Sequence, residues 1–432
     1  MQYRAISVDQ WRQFSQIRID LHPSLTILTG PNGSGKSTLL SLLELSMDSH
    51  HREPFLATPV NDSTSGSSGF SFGTLFSRFN PFKKAKEAEA ALSGHKIGSI
   101  EYESGSPAEL RLTDSGSLQY QVNLSGRQPI SGFKITSHRP FPRYQAVQSL
   151  PVSGIRPKEA FEYYSQSQSH YQRGNRYHRE GKTVENPVAP MKETLIGFAA
   201  FGADNAHLKA VPELVGLYDK FQNLLSSLLP NEIGFERLEV RSPEIVVVSR
   251  TGEFPIDSAS GGLMSLIQTA WQIFLYTEAN NGKCVILIDE PENHLHPSLQ
   301  RDFLSNLVRA FPFVQFIVAS HSPFIITSVR DSKVYALRYA ELDTSNGSGK
   351  SAVKAEEINL ISKARSADKI LDEVLGVSVT IPKWAERDLD LITKKFERAA
   401  LSEGAIRDLR AELQEAGLSE FLPEAIGRIA HD

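Results

Sequence analysis

Two stretches of the chain are apolar almost without a break, Cys284-Val285-Ile286-Leu287-Ile288 and Phe313-Val314-Gln315-Phe316-Ile317-Val318-Ala319. Continuous apolar runs of this length predict strands buried on both faces, as in a parallel sheet. Between them, apolar positions at 299, 303, 304, 307 and 308 behind Pro297 predict a helix that opens on proline. Strand, helix and strand make one βαβ unit. The same grammar recurs near the start, where Leu25-Thr26-Ile27-Leu28 precedes the helix-like Thr38-Leu39-Leu40-Ser41-Leu42-Leu43. A longer helix is predicted from apolar positions 263, 266, 267, 270, 273 and 274, with Ser260 as N-cap and a stop at Asn281-Gly282.

Elsewhere the pattern changes. Two strands are expected at Tyr3 to Val8 and Gln16 to Leu21. Alternation in Ile100-Glu101-Tyr102-Glu103, Glu109-Leu110-Arg111-Leu112 and Leu118 to Leu124 predicts an antiparallel meander over 98–137, ending in Ile135-Thr136-Ser137-His138-Arg139-Pro140. Within 46–93, a low-complexity Ser/Gly stretch precedes Phe70, Phe72, Phe76, Phe79 and Phe82 and a charged helix from Lys83 to Leu92; the phenylalanines suit a small satellite core or a docking lid. A helical lobe over 156–225 carries Tyr163-Tyr164, His170-Tyr171 and a basic run of Arg173, Arg176, Arg179 and Lys182. Basic residues interleaved with aromatics fit single-stranded nucleic acid; a solvated loop or a protein interface fits them too. Helical periodicity returns at 359–376 and 383–417.

Chemistry enters at the edges of the apolar strands. Gly30-Pro31-Asn32-Gly33-Ser34-Gly35-Lys36-Ser37, with Thr38 opening the helix, is a complete phosphate-binding loop in its strand and helix context. Its glycines let backbone N–H groups turn in on phosphate, Lys36 reaches the β and γ phosphates, and Ser37 meets Mg²⁺. The chain is therefore read as a P-loop NTPase of α/β class that uses a nucleoside triphosphate and Mg²⁺; the resemblance below makes that nucleotide ATP. Asn346 to Ser351 repeats the core of the loop but has Thr344 at the first glycine position and no apolar helix after it; flanking β-like stretches make it a hairpin loop. Asp289 and Glu290 end the first apolar strand, as Mg²⁺ ligand and as the base that orients or deprotonates water. His321 ends the second, at the same sheet edge, within reach of a γ-phosphate oxygen. Ser260-Gly261-Gly262 opens a helix whose free N–H groups and dipole suit an anion.

In this order the four elements resemble the ATP-binding-cassette type of ATPase, and Ala259-Ser260-Gly261-Gly262-Leu263 is closer to its RecF, SMC and OLD-like branch than to transporter motors. The resemblance implies a head-to-tail dimer or higher oligomer in which Ser260, Gly261 and Gly262 contact the γ-phosphate bound by another subunit. It also implies a glutamine that senses Mg²⁺ between the antiparallel sheet and the helical lobe, Gln145 or else Gln148, and residues near adenine in the Arg12–Phe14 turn. The expected architecture is an ABC-ATPase-like head of mixed sheet plus antiparallel lobe, with a helical lobe and a helical C-terminal extension. Its parts are 1–150 with the insertion 46–93, 151–235, 236–340 and 341–432.

Ser366 to Val377 and Thr136 to Pro140 resemble the standalone ATPases of Septu and retron-associated defence modules. That resemblance implies a switch acting on a separate partner nuclease in antiphage defence; direct DNA repair or maintenance is the other reading. Asp388-Leu389-Asp390 lies in a polar helical pattern and does not make a nuclease, and His294 and His296 are too few for a metal site. A net charge of −4 gives no global drive toward nucleic acid or an anionic membrane, so nucleic-acid contact needs a local patch. No run reaches membrane-span length, Met1-Gln2-Tyr3-Arg4 leads into a strand and not a signal peptide, and the one cysteine, Cys284, cannot form an intramolecular disulfide. The cytoplasm is the expected setting.

Overall fold

A computed structural model describes residues 1–47, 54–61, 68–71, 94–112, 119–139, 144–150, 155–174, 177–179, 182–184, 186–204, 207, 209–341, 351–358, 383–396 and 403–431. The chain divides into two compact units, Met1–Arg365 and Ser366–Asp432.

The first unit begins with β1 (Tyr3–Asp9) and β2 (Gln16–Asp20), then β3 (Leu25–Thr29) and helix α1 (Lys36–Glu44). β4 (Lys96–Tyr102), β5 (Pro107–Leu112) and β6 (Val122–Ser125) follow, then β7 (Gly132–Ile135). Helices α2 (Pro157–Gln172), α3 (Val188–Phe201) and α4 (Leu217–Leu228) lead to a separate three-stranded sheet of β8 (Phe235–Arg241), β9 (Glu244–Ser249) and β10 (Gly252–Pro255). Then come α5 (Gly261–Ala279), β11 (Cys284–Asp289), α6 (Pro297–Ala310), β12 (Val314–Ala319), α7 (Pro323–Ile326), β13 (Lys333–Glu341) and β14 (Ser351–Glu357).

Two sheets organise these elements. One has the order β6-β5-β4-β1-β2 and is antiparallel throughout. The other has the order β7-β11-β12-β3-β13-β14 and is parallel except at β14. Every residue of β11 and β12 is buried, which is why neither shows alternation. One apolar cluster joins Ile6, Val8 and Ile100 of the antiparallel sheet to Leu39, Leu40, Leu42 and Leu43 of α1 and to Val285, Leu287 and Ile317 of the central sheet. Away from it, Trp271 of α5 packs edge-on against Phe221 of α4 and close to Phe198 of α3. This anchors the helical lobe to the helix that opens at Ser260.

Two expectations are corrected. The meander stops at β6, because β7 pairs in parallel with β11, Gly132 opposite Val285 through Ile135 opposite Ile288. The region 341–432 is not helical from its start, since β14 is the edge strand of the central sheet. Its pairing with β13 forms the expected hairpin around 342–350, residues that lie outside those described. The Arg12–Phe14 turn lies against the phosphate loop: Gln13 Nε2 donates to Gly33 O at 3.3 Å, Phe14 is fully buried, and the Arg12 guanidinium stands 5.8 Å from the ring centres of Trp11 and Phe55.

The second unit contains α8 (Lys383–Phe396), α9 (Glu403–Glu415) and α10 (Leu422–His431). Ala385, Leu389 and Ile392, at helical spacing on α8, share a small core with Leu409, Leu413, Ala425 and Ile429. The Phe72–Phe82 cluster, the helix expected at 83–92, the helix expected at 359–376 and Arg176 lie outside the described residues.

Candidate functional site

The carboxyl ends of β3, β11 and β12 share one edge, because register pairs Ala319 with both Asp289 and Leu28. Beyond β3 the chain turns through Gly30 (φ 142°), Gly33 (φ 80°) and Gly35 (φ 96°), conformations that L side chains resist. A methyl at Gly30 would strike the Leu337 carbonyl, and one at Gly35 the Phe14 ring. The loop is thus wedged between β13 and the Phe14 turn. Lys36, buried, donates from Nζ to the carbonyls of Gly30 (2.8 Å) and Pro31 (3.2 Å). Burial pulls its ammonium below the ordinary lysine range, against the opposing fields of Glu290, Asp289 and Glu292.

Ser37 Oγ donates to Asp289 Oδ1 at 3.1 Å, joining the phosphate loop to the end of β11. Burial raises the Asp289 carboxyl; the Ser37 hydroxyl, Lys134 and Lys36 work against that rise. Glu290 holds a left-handed backbone (φ 48°), donates its N–H to Ala319 O at 2.9 Å and keeps a third of its side chain exposed. Asn293 Nδ2 donates to Glu290 Oε2 at 3.0 Å and to Ser137 O at 3.2 Å. His321 Nδ1 lies 3.9 Å from Glu290 Oε1 and 3.5 Å from Glu292 Oε1. Lys36, Ser37, Asp289, Glu290 and His321 therefore form one group.

Ser260 caps α5, its Oγ accepting from the Leu263 N–H at 3.4 Å. It is exposed, with Gly261 and Gly262 half-buried behind it. A methyl on Gly262 would come within 2.7 Å of the His294 carbonyl, so only glycine fits against the turn after β11. The approach to this cap is fixed by Lys192, fully buried on α3, which donates to Asp257 (2.7 Å) and Glu244 (2.8 Å). Among the described residues no hydrogen bond links Ser260, Gly261 or Gly262 to the phosphate loop of the same chain.

Gln145 is not brought to the group. Its amide donates to Thr183 O at 3.3 Å, on the short hairpin Tyr177–Arg179/Lys182–Val184. The chain leaves the central sheet beside Asp289 at Thr136, one residue past the Ile135–Ile288 pair, so Thr136 and Ser137 occupy the ground expected of a glutamine. Sequence reasoning also missed three partners. Glu292, 7 % exposed, accepts from Ser320 Oγ (2.9 Å) and from the His321 N–H (2.8 Å). Lys134 of β7 donates to Ser41 Oγ at 3.0 Å and bears on Asp289. Arg139 donates to Ser265, Pro291 and Glu290. Glu292 carried a readable signal, a third acid two positions after Glu290; Arg139 stood in the Thr136 to Pro140 stretch that carries a resemblance but no assigned role, and Lys134 carried none.

The residues present fit a Mg²⁺-bound nucleotide. The loop's glycines leave a backbone cradle, the buried Ser34 Oγ has no partner among the described residues, and a hydroxyl and a carboxylate already meet at Ser37 and Asp289. Among the described residues no group of three or more His, Cys, Asp or Glu side chains forms a separate metal cluster. No described helix is long and apolar enough to cross a membrane.

Residues 25–327 match the family described as "AAA domain, putative AbiEii toxin, Type IV TA system". Over 83 residues, 17% of this chain and 16% of the other, the chain is 39% identical to the probable ATPase of retron Vc95 from Vibrio cholerae serotype O1 biovar El Tor. Over 124 residues, 28% of this chain and 17% of the other, it is 25% identical to the Septu protein PtuA of Bacillus mycoides (strain KBAB4). These matches span about a sixth of each relative's length. The SMC head domain from Thermotoga maritima aligns with 83% of this chain and all of that domain, at 13% identity and a TM-score of 0.37.

Proposed function

The chain belongs to this AAA-domain family, and on that premise we propose that it is a Mg²⁺-dependent ATPase working as a dimerising switch, one that regulates a partner effector nuclease in prokaryotic antiphage defence. The observation that carries the chemistry is the Ser37–Asp289 hydrogen bond with Glu290 one residue on, beside Lys36. Backbone N–H groups of Gly33 to Ser37 and the Lys36 ammonium hold the phosphates. Bound Mg²⁺, held by Ser37 and Asp289, would neutralise charge on the β and γ oxygens. Glu290 orients water and accepts its proton, and His321 hydrogen-bonds the γ-phosphate from the side held by Glu292.

The exposed Ser260 cap supports engagement in trans: Ser260, Gly261 and Gly262 of one subunit meet the γ-phosphate held by the other. The defence role and the nuclease rest on likeness to the retron and Septu proteins, and the cytoplasm is the setting that goes with them. The test is Glu290→Gln. It should keep ATP affinity and hydrolyse at least about a hundredfold more slowly, as loss of a positioned base does. Turnover at the wild-type rate would remove Glu290 from the reaction.

A further inference from the structure

Glu290 sits in a backbone conformation that a non-glycine residue leaves unless its surroundings hold it. One hold comes from the segment after β7. Arg139, 6 % exposed, donates from Nη1 to Ser265 Oγ at 2.7 Å and to Pro291 O at 3.3 Å, and from Nη2 to Glu290 O at 3.5 Å. Ser265 lies one turn into α5, the helix capped by Ser260. A second junction lies close by, where Gly262 meets the His294 carbonyl without room for a methyl. Asn293 also ties Glu290 Oε2 to Ser137 O, on the same segment as Arg139. The segment is itself gripped by Gln172 at the end of α2, which donates to His138 O (2.8 Å) and Thr136 Oγ1 (3.2 Å).

A guanidinium suits this place because its rigid planar fork presents donors from two separate nitrogens, Nη1 to Ser265 and Pro291 and Nη2 to Glu290, where an ammonium donates from a single point. Burial pushes its pKa down to about 10, while Glu292, Tyr164, Asp289 and Glu290 oppose that fall. It remains charged at neutral pH.

Resting on the ATPase reading, we propose that Arg139 is a positioning residue for hydrolysis: it locks the Glu290 turn to the first turns of α5, so that Glu290 is set by the seating of the helix that carries Ser260 to Gly262. Residues at the subunit-facing cap and the hydrolytic carboxylate then move as one body, and hydrolysis at one site answers to engagement of the other.

The test is a double-variant cycle on the full chain. Binding of a fluorescent ATP analogue, steady-state hydrolysis and thermal melting are measured for wild type, Arg139→Lys, Arg139→Met, Glu290→Gln and the Arg139→Met/Glu290→Gln pair. Analogue affinity should stay within about threefold of wild type in both Arg139 variants, while kcat falls about a hundredfold in Arg139→Met and about tenfold in Arg139→Lys. The pair should be no slower than Glu290→Gln alone, since a residue acting through Glu290 has nothing left to act on. Arg139→Met at the wild-type rate, or a pair slowed again by the full factor, overturns the inference. If Arg139→Met fails to melt cooperatively, the same comparison is made with Arg139→Lys, where an undiminished kcat overturns it. With wild type active and Glu290→Gln slow, such results sink the role of Arg139 alone; an inactive wild type sinks the ATPase reading with it.

Discussion

At the residue scale, the site depends on how few acceptors serve the two chain ends at the sheet edge. Glu292 Oε1 alone receives the Ser320 hydroxyl and the His321 N–H, and it lies 3.5 Å from the His321 ring. Replacing Glu292 by alanine leaves the buried Ser320 hydroxyl and the part-buried His321 N–H without this acceptor, a loss of about 2 kcal/mol in stability. It also releases His321, so hydrolysis should slow by about tenfold or more while nucleotide affinity is retained. A urea melt and a steady-state ATPase assay read the two effects separately. An unchanged rate with lowered stability would leave Glu292 a purely structural acid. Gln315 makes a parallel point: fully buried in an apolar strand, it exchanges hydrogen bonds with the Tyr3 backbone at 2.9 Å each way and donates to His22 O.

At the element scale, α5 unites two roles that its pattern does not separate. Its interior is buried almost all round, from Leu263 to Leu275, so periodicity shows a helix but not which face meets what. Its first turn stays at the surface with Ser260 exposed. Ser260→Arg should therefore leave nucleotide binding at the chain's own phosphate loop intact and abolish hydrolysis by blocking the partner's site. Lys36→Ala should fail in the opposite way, losing binding. Mixing the two inactive proteins should restore activity, with at most one working site per mixed dimer, read as rate against mixing ratio. No gain at any ratio would mean that each site is complete within one subunit.

At the scale of the whole molecule, the residues of the proposed nucleotide site lie within Met1–Arg365, and Ser366–Asp432 forms its own compact unit with its own small core. Removing 366–432 should leave basal ATP hydrolysis within about twofold, since none of the site residues is taken away. If this unit carries the regulated nuclease, the truncation should lose co-purification of a nuclease encoded next to it. The competing role places the work on the basic run of the helical lobe, of which Arg173 is exposed. Neutralising Arg173, Arg176, Arg179 and Lys182 would then lower DNA affinity and flatten its salt dependence by about one unit of slope for each phosphate no longer paired with a cation. DNA-stimulated hydrolysis abolished by that variant, and indifferent to the truncation, would favour DNA maintenance over nuclease control.

The chain by itself determined the elements whose physics is local. Continuous apolar runs marked β11 and β12, Pro297 and Ser260 marked where α6 and α5 begin, and the glycine spacing of 30 to 35 marked a backbone that must curl. A match to residues 25–327 agrees with that reading of the family. What the chain could not determine is which distant residues meet. Short strands with similar patterns can pair in several ways, and only the full set of partners made β7 a parallel neighbour of β11 and β14 the edge of the same sheet. That pairing brought Thr136, Ser137 and Arg139 to the end of β11, while Gln145 bonds to Thr183 O. Polar side chains such as Arg139, Glu292 and Gln315 have no periodic signature, because each is retained for a single partner far along the chain. Their roles came from the tertiary structure, where a buried hydrogen-bonding group must find its partner or destabilise the fold.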